Sequence, residues 1–272
     1  MYRQRFGLTH HPLPKYAQGK TYFDKSPGHA RLAKAFTRLT KDPGVGVLYA
    51  DAGVGKTAGL RHHCALLPRP DFLVLYLCDT AVSPLDLYRT LALEIGVRPS
   101  HRRAQLWADI KKTLVHLVDD RGTSPVVILD EAQHLSDRFL IDLSGFLNFA
   151  FDSRDLLTLW LCGLPSLDRT LRMHQHAPLL MRVSERVQLD PLERDPFVAA
   201  IDHGLRAAGA TQKLLSDSAL ELLFRASRGV LRLAARILRL ALEAAHERDQ
   251  NFVDDPAMDA AVDQVITKKA AP

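Results

Sequence analysis

The chain has 272 residues, which is enough for one sizeable domain and a smaller appendix. Its residues are 47% hydrophobic and 25% charged, the proportions of a soluble globular protein. No apolar run approaches the roughly 18 residues of a membrane helix, and the first residues lack the apolar stretch of a secretion signal. We therefore expect no membrane segment and a cytoplasmic location. The net charge of +5 is compatible with nucleic-acid binding but does not require it.

The cysteines and histidines carry no metal-binding pattern. Cys64, Cys78 and Cys162 lie within apolar stretches, and their spacing is not that of metal ligands. We predict that they are buried, reduced thiols of a cytosolic protein. Neighbouring histidines such as His10 and His11 point apart on a helix or strand, so the 12 histidines do not indicate a metal site.

The chain begins with an irregular segment and continues as an alternation of strands and helices. Residues 1–28 contain several prolines and aromatic residues with little periodicity, which indicates an extended arm whose aromatic side chains dock onto the protein. A helix is predicted at 29–41, ended by Asp42-Pro43-Gly44. Strands are then predicted at 45–49, 72–77, 125–130 and 155–161, and helices at 56–66, 83–96, 103–119 and 136–151. This order predicts an α/β fold with a three-layer parallel sheet.

The strand patterns stop after Asp190-Pro191. The rest of the chain has helical patterns at 194–209, 216–227, 229–247 and 255–267. We therefore predict three parts: an N-terminal arm at 1–28, an α/β nucleotide-binding core at 29–190 and a small helical lid at 191–272.

A glycine-bearing loop between the first core strand and the next helix has the pattern of a phosphate-binding loop. Its residues are Asp51, Ala52, Gly53, Val54, Gly55, Lys56, Thr57 and Ala58. In such a loop the backbone N–H groups and the helix N-terminus face the phosphates, Lys56 neutralises their charge and Thr57 ligates Mg2+. The strict pattern starts with glycine where this chain has Ala50, which fits only if its φ is negative.

A pair of carboxylates follows the third core strand. Residues 126–129 form a continuous apolar run, typical of a parallel strand buried on both faces, and Asp130 and Glu131 come directly after it. The carboxyl end of such a strand is where open α/β sheets bind ligands. Asp130 would hold Mg2+, through water or Thr57, and Glu131 would polarise the attacking water as general base. An Asp-Glu pair can also simply cap the next helix, but together with the phosphate loop it indicates an ATPase that uses ATP and Mg2+.

A parallel nucleotide-binding sheet followed by a helical lid is the layout of AAA+ P-loop ATPases. Within them the chain resembles the ExeA/TniB/TnsC group, best known as regulators of DNA transposition. The motifs that carry the resemblance span nearly the whole chain: Tyr2 with Phe6-Gly7-Leu8-Thr9, the phosphate loop, residues 82–87, Leu129-Asp130-Glu131-Ala132-Gln133-His134, residues 162–167, Arg182-Val183 and residues 189–192.

The resemblance implies further catalytic positions. The sensor position at the end of the fourth strand usually holds a polar residue, but this chain has Leu164 there. Ser166 or Cys162 would then substitute, or hydrolysis would be slow and stimulated by DNA or partners. The arginine finger would be Arg182 or Arg186, and Arg182 matches the Arg-Val step before the last strand. The alternative for each arginine is a solvated helix face.

The resemblance also places Arg232 as the lid arginine and puts a DNA surface between the second and third strands. The basic residues of that region are Arg98, Arg102, Arg103, Lys111 and Lys112. Their phosphate contacts would be independent of sequence and sensitive to salt. The alternative is a basic surface without a ligand. A second basic stripe in the lid could face nucleotide, DNA or a partner, and consists of Arg225, Arg228, Arg232, Arg236 and Arg239.

The function implied by the resemblance is regulation of DNA transposition. The chain would oligomerise with ATP on double-stranded DNA, as a ring or a filament, and recruit or activate a transposase together with a target-selection protein. Arg182 would act on the ATP of a neighbouring subunit. One alternative is an ExeA-like secretion ATPase, a class that normally continues into a membrane segment and a cell-wall-binding domain. The other is a helicase loader or initiator, which usually carries a helicase-binding arm or a helix-turn-helix.

Overall fold

The protein is described by a computed structural model that covers residues 2–16 and 19–267. Residues 1 and 17–18 of the predicted arm and residues 268–272 of the predicted lid lie outside the described residues. The chain forms two compact units. The sheet unit contains Ala30–Asp51 and His63–Leu189, and the helical unit contains the described residues of Met1–His29, Ala52–His62 and Asp190–Pro272.

The sheet consists of five strands, all parallel to their neighbours. The strands are β1 Val45–Ala50, β2 Phe72–Leu77, β3 Ser124–Leu129, β4 Thr158–Gly163 and β5 Val183–Leu189. Their order across the sheet is β2-β3-β4-β1-β5. The α-helices of the described residues are α1 Tyr2–Arg5, α2 Pro27–Lys41, α3 Lys56–Ala65, α4 Pro84–Glu94, α5 Arg103–Asp119, α6 Asp137–Phe146, α7 Pro165–Leu171, α8 Ala177–Leu180, α9 Arg194–Ala207, α10 Asp217–Ser227, α11 Leu231–Glu247 and α12 Asp255–Thr267.

Burial differs between the central and edge strands of the sheet unit. All residues of β4, and all of β3 after Ser124, are buried, as expected for parallel strands covered on both faces. In the edge strand β2, Leu75 and Leu77 are buried, whereas Val74 and Tyr76 are exposed. The predicted bounds of β2 are confirmed. Its continuous apolar sequence, however, does not reveal that one face of the strand is open.

The end of α6 differs most from the predicted elements. We predicted a helix at 136–151, but α6 ends at Phe146. Residues 150–152 have positive φ angles of 48°, 57° and 64°, a left-handed backbone that cannot continue an α-helix. The following strand consequently begins at Thr158, after the predicted start at 155.

The core of the helical unit is formed by α9–α12 together with the N-terminal segment. Phe6 and Phe23 are buried in this core, so the predicted docking of aromatic side chains is confirmed for these two residues. Tyr16 is exposed and does not follow the prediction. The Thr9 N–H donates to the Ala208 carbonyl oxygen at 2.8 Å, which fixes the backbone of the segment to the end of α9.

The three cysteines are free, and they differ in exposure. Cys162 is buried and Cys64 is half-buried, but Cys78 is exposed, so the prediction of buried thiols is wrong for Cys78. Cys78 follows β2 on the same open side as Val74 and Tyr76. Burial raises the pKa of the Cys64 thiol to about 12, which keeps it protonated and unreactive. Among the described residues, no helix is long and apolar enough to cross a membrane.

Candidate functional site

The loop between β1 and α3 has the backbone that phosphate binding requires. Ala50 is the last residue of β1 and has extended backbone, so an alanine fits where the strict pattern has glycine. Gly53 and Gly55 have φ angles of +86° and +123°, a region that residues with a side chain rarely adopt. The N–H groups of the first helical turn point out of the helix end, which carries partial positive charge. An anion can therefore bind where the loop enters α3.

Lys56 and Thr57 open α3, at the end where these N–H groups converge. Lys56 is only 8% exposed, and Thr57 is half-buried. An ammonium group removed from water is stabilised by a nearby anion, and a threonine hydroxyl at this position suits an Mg2+ bound to the same phosphates. The loop thus fits the phosphates of a nucleotide and their magnesium ion.

Two further segments of the helical unit reach the loop. The Arg232 N–H donates to the Gly53 carbonyl oxygen at 3.2 Å, and a Cβ added at Gly53 would lie 2.9 Å from the Arg232 Cβ. The predicted lid arginine therefore lies beside the phosphate loop, with an exposed side chain. His29, which the sequence did not indicate, is buried with its Nε2 at 3.4 Å from the Cβ position of Gly55. Burial lowers the pKa of His29, which favours its neutral form.

Asp130, directly after β3, is buried at 3% exposure, and its carboxylate accepts hydrogen bonds from neighbouring groups. The Tyr76 hydroxyl donates to its Oδ2 at 2.8 Å, and the Glu131 N–H donates to its Oδ1 at 2.9 Å. Burial and the hydrogen bond to Asp130 raise the pKa of Tyr76, so its hydroxyl remains a donor at neutral pH. We did not predict the role of Tyr76. The relevant feature is the position of Tyr76 near the carboxyl end of β2. This strand lies beside β3, and Tyr76 pairs there with Ile128.

Glu131 is exposed and has the left-handed backbone of φ 51° and ψ 35°, which is uncommon for a residue with a side chain. The buried Thr80 hydroxyl donates to the Glu131 carbonyl oxygen at 2.7 Å. The Gln133 side-chain amide donates to the carboxylate Oε2 at 2.7 Å. The buried carboxylate of Asp130 and the exposed carboxylate of Glu131 can take the two different roles that we predicted for them. Asp130 suits a metal ion, and Glu131 can polarise a water molecule.

The chain is similar to several known proteins. Residues 38–171 match the family model of the AAA domain. The chain is 32% identical over 266 residues to General secretion pathway protein A of Aeromonas hydrophila, in a match that covers 93% of this chain and 46% of that protein. The chain thus spans about half the length of this relative.

Solved structures with the same architecture include Cdc6p from Pyrobaculum aerophilum, at 16% identity and a TM-score of 0.67, covering 92% of this chain and 68% of that one. They also include Drosophila ORC bound to DNA, at 17% identity and a TM-score of 0.74, covering 97% of this chain and 66% of that one. The chain has the AAA+ P-loop ATPase fold.

The predicted sensor position lies at the end of β4. Cys162 is fully buried in β4 and Ser166 is half-buried in α7. The Leu164 N–H donates to the Gln133 side-chain oxygen at 3.0 Å. Gln133, which follows β3, therefore places a polar group at this end of β4, and substitution by Ser166 or Cys162 stays a prediction.

Both candidate arginine fingers form ion pairs within the sheet unit. Arg186 pairs with Asp168, which also accepts from Arg172 at 2.9 Å. Arg182 pairs with Asp152 at 2.5 Å, and its side chain is 21% exposed. Neither arginine lies on a helix, since Arg182 follows α8 and Arg186 lies in β5. The choice of the arginine finger stays a prediction.

The predicted DNA-contact residues fall into two groups. Arg103 pairs with Asp142 at 2.8 Å and lies over the Trp107 ring at 4.4 Å. Lys111 donates to the Asn148 carbonyl oxygen at 2.8 Å, and burial lowers its pKa. These two side chains stabilise the sheet unit itself. The exposed members of the set, for which no ion pair is found among the described residues, are Arg98, Arg102 and Lys112.

Proposed function

We propose that this chain binds ATP and Mg2+ through its phosphate loop and hydrolyses ATP with Asp130 and Glu131. The observation that carries the proposal is the placement of the carboxylates at the carboxyl end of β3. This is the same edge of the parallel sheet as the end of β1, where the phosphate loop starts. Ligands of open parallel sheets bind at that edge. Thr57 and Asp130 would hold Mg2+, which supplies charge stabilisation of the phosphates when bound. Arg232 would contact the nucleotide from the lid.

Glu131→Gln tests the role of the general base. The variant should bind ATP with wild-type affinity and hydrolyse it about a hundredfold or more slowly, because only activation of the water is lost. Phosphate release and titration with a fluorescent ATP analogue measure the two properties separately. Glu94→Gln, at an exposed glutamate that ends α4, is the matched control and should leave both unchanged. Wild-type hydrolysis by Glu131→Gln would show that the assignment is wrong.

We further propose that ATP assembles the chain head to tail, with Arg182 reaching the ATP of a second copy. Two large apolar side chains flank the Arg182–Asp152 ion pair in sequence: Phe151 is fully exposed and Met181 is 86% exposed. Exposed apolar groups beside a candidate catalytic residue favour a surface that another protein covers. The protein that covers this surface would be a second copy of this chain, because Arg182 would then reach the ATP of that copy. Such a heterologous interface closes into a ring or continues as a filament.

We propose that this assembly forms on double-stranded DNA in the cytoplasm and recruits or activates a transposase, with a target-selection protein as a further partner. Three features support the proposal. The motifs resemble those of transposition ATPases, Arg98, Arg102 and Lys112 are exposed, and a solved neighbour of the same fold is bound to DNA.

The double variant Arg98→Glu, Arg102→Glu tests the DNA surface. It should weaken binding to every duplex sequence and reduce the slope of log affinity against log salt by about 2, because each lost phosphate contact accounts for about 0.9. Fluorescence anisotropy with labelled duplexes at several salt concentrations gives both quantities. Arg103 is left unchanged because its ion pair with Asp142 supports the fold.

Arg121→Glu is the matched control for this experiment, since Arg121 is exposed at the amino end of β3. It should bind DNA like the wild type. If the double variant keeps the wild-type affinity and salt slope, the DNA surface lies elsewhere, and the arginine stripe of the lid is the next candidate.

A second candidate function is that of a secretion-type ATPase, which the match to General secretion pathway protein A favours. An initiator or helicase loader is supported only by the fold, at 16–17% identity to Cdc6p and ORC. The anisotropy experiment separates the candidates. A wild-type chain that hydrolyses ATP and assembles with ATP but has no affinity for duplex DNA would favour the secretion-type ATPase.

A further inference from the structure

We propose that Gln133 is a positioning residue that orients the Glu131 carboxylate and ties it to the end of β4. This inference rests on the proposed ATPase function. Its basis is a chain of two hydrogen bonds within the sheet unit. The Leu164 N–H donates to Gln133 Oε1 at 3.0 Å, and Gln133 Nε2 donates to Glu131 Oε2 at 2.7 Å.

The direction of this chain follows from the chemistry of its ends. A backbone N–H can only donate, so the group that faces Leu164 must be the amide oxygen of Gln133. The amide nitrogen then faces Glu131, and an ionised carboxylate can only accept. The orientation of the amide is thus determined at both ends. A carboxylate in place of the amide would keep the bond to Leu164 and lose the bond to Glu131.

The Gln133 side chain lies close against the end of β4. A Cβ added at Gly163, the last residue of β4, would lie 2.7 Å from Gln133 Oε1 and 3.2 Å from the Gln133 backbone nitrogen. A side chain at residue 163 would therefore displace the amide. The close approach of β4 to residue 133 thus depends on glycine.

The main chain of Glu131 is held from both sides. Its N–H donates to Asp130 Oδ1 at 2.9 Å, and its carbonyl oxygen accepts from Thr80 at 2.7 Å. What remains adjustable is the exposed side chain, and the Gln133 amide is the group that restrains it. The restraint occupies Oε2 and leaves Oε1 to take the proton of the attacking water. A general base must be held in reach of that proton to be effective.

Leu164 offers no polar side chain at the end of β4, and the Gln133 amide provides one there instead. A positioning role therefore predicts that removal of the amide slows the chemical step and leaves the binding of ATP unchanged.

Gln133→Glu and Gln133→Leu test this role, because both replacements keep the approximate shape of the side chain. The kcat for ATP hydrolysis should fall about ten- to a hundredfold, the worth of a hydrogen bond to a charged group, while KM for ATP stays unchanged. The loss of kcat should be larger in Gln133→Glu, because a second carboxylate repels the Glu131 carboxylate instead of holding it.

The matched control is Gln105→Glu, since the side-chain amide of the exposed Gln105 in α5 likewise donates to a carboxylate, that of Asp109, at 2.8 Å. Its kcat and KM should equal those of the wild type, and thermal melting should show that all variants fold. A kcat that falls together with a raised KM or a lowered melting temperature would mean a structural role and overturn the proposal.

Two other outcomes separate the inference from the proposed function. If the wild type hydrolyses ATP and Gln133→Glu has the same kcat, the inference alone is overturned. If the wild type binds ATP but does not hydrolyse it, with or without duplex DNA, the proposed function is overturned and the inference with it.

Discussion

Lys56→Ala should abolish nucleotide binding by this chain. Lys56 is 8% exposed at the start of α3, beside a loop whose two glycines have positive φ. Removing one partner of a buried, hydrogen-bonded charge pair costs about 2–5 kcal/mol. At 3 kcal/mol the affinity for ATP falls more than a hundredfold. Titration with a fluorescent ATP analogue measures the loss directly.

The control for this variant is Lys41→Ala, because Lys41 is an exposed lysine at the end of α2. It should bind ATP with wild-type affinity. Lys56→Ala and Glu131→Gln together separate binding from hydrolysis, since the first should lose both properties and the second only hydrolysis. Retention of wild-type affinity by Lys56→Ala would mean that the glycine-bearing loop does not hold the phosphates.

Arg182→Ala should bind ATP but fail to hydrolyse it and fail to assemble. If Arg182 pairs with the γ-phosphate on a second copy, its loss removes both the transition-state charge stabilisation, worth about a thousandfold or more in rate, and a contact across the interface. Sedimentation with duplex DNA and a non-hydrolysable ATP analogue measures assembly. The wild type should form a ring or filament with the analogue and dissociate with ADP, which lacks the γ-phosphate.

Asp152→Asn should have the opposite effect on assembly and make it easier. In the free chain Arg182 pairs with Asp152 at 2.5 Å, so assembly must break this ion pair. Asparagine tolerates the φ of +64° at residue 152 and removes the charge. Since a partly exposed ion pair contributes at most about 1 kcal/mol, assembly should require up to about fivefold less ATP. A wild-type chain that remains monomeric with saturating analogue and DNA would contradict the assembly proposal and favour a solitary ATPase.

The elements that sequence reasoning recovered are those whose signals are contiguous. The phosphate loop is a run of glycines and Lys56-Thr57 between a strand and a helix, and the bounds of β2 follow from one apolar run. The carboxylates Asp130 and Glu131 were found in the same way, because they directly follow the apolar run of β3. Local backbone preference and strand periodicity determine these features, so neighbours in sequence are sufficient to predict them.

Other contacts depend on strand order, which the sequence pattern did not provide. β3 lies between β2 and β4, and this brings Tyr76 to Asp130 on one side and Leu164 to Gln133 on the other. A hydrogen bond between strand ends requires the register of the sheet, not only the presence of its strands.

The sequence by itself determined the phosphate loop, the acidic pair and the alternation that produces a parallel sheet. Only the tertiary structure decided the partners of the charged side chains. Arg186 and Arg103 could have been solvated or functional on sequence grounds, and the fold pairs them with Asp168 and Asp142. The physical reason is the distance in sequence between the residues that interact. A loop or strand depends on consecutive residues. The partner of a charged side chain is the group that the packing of distant segments brings within hydrogen-bond distance.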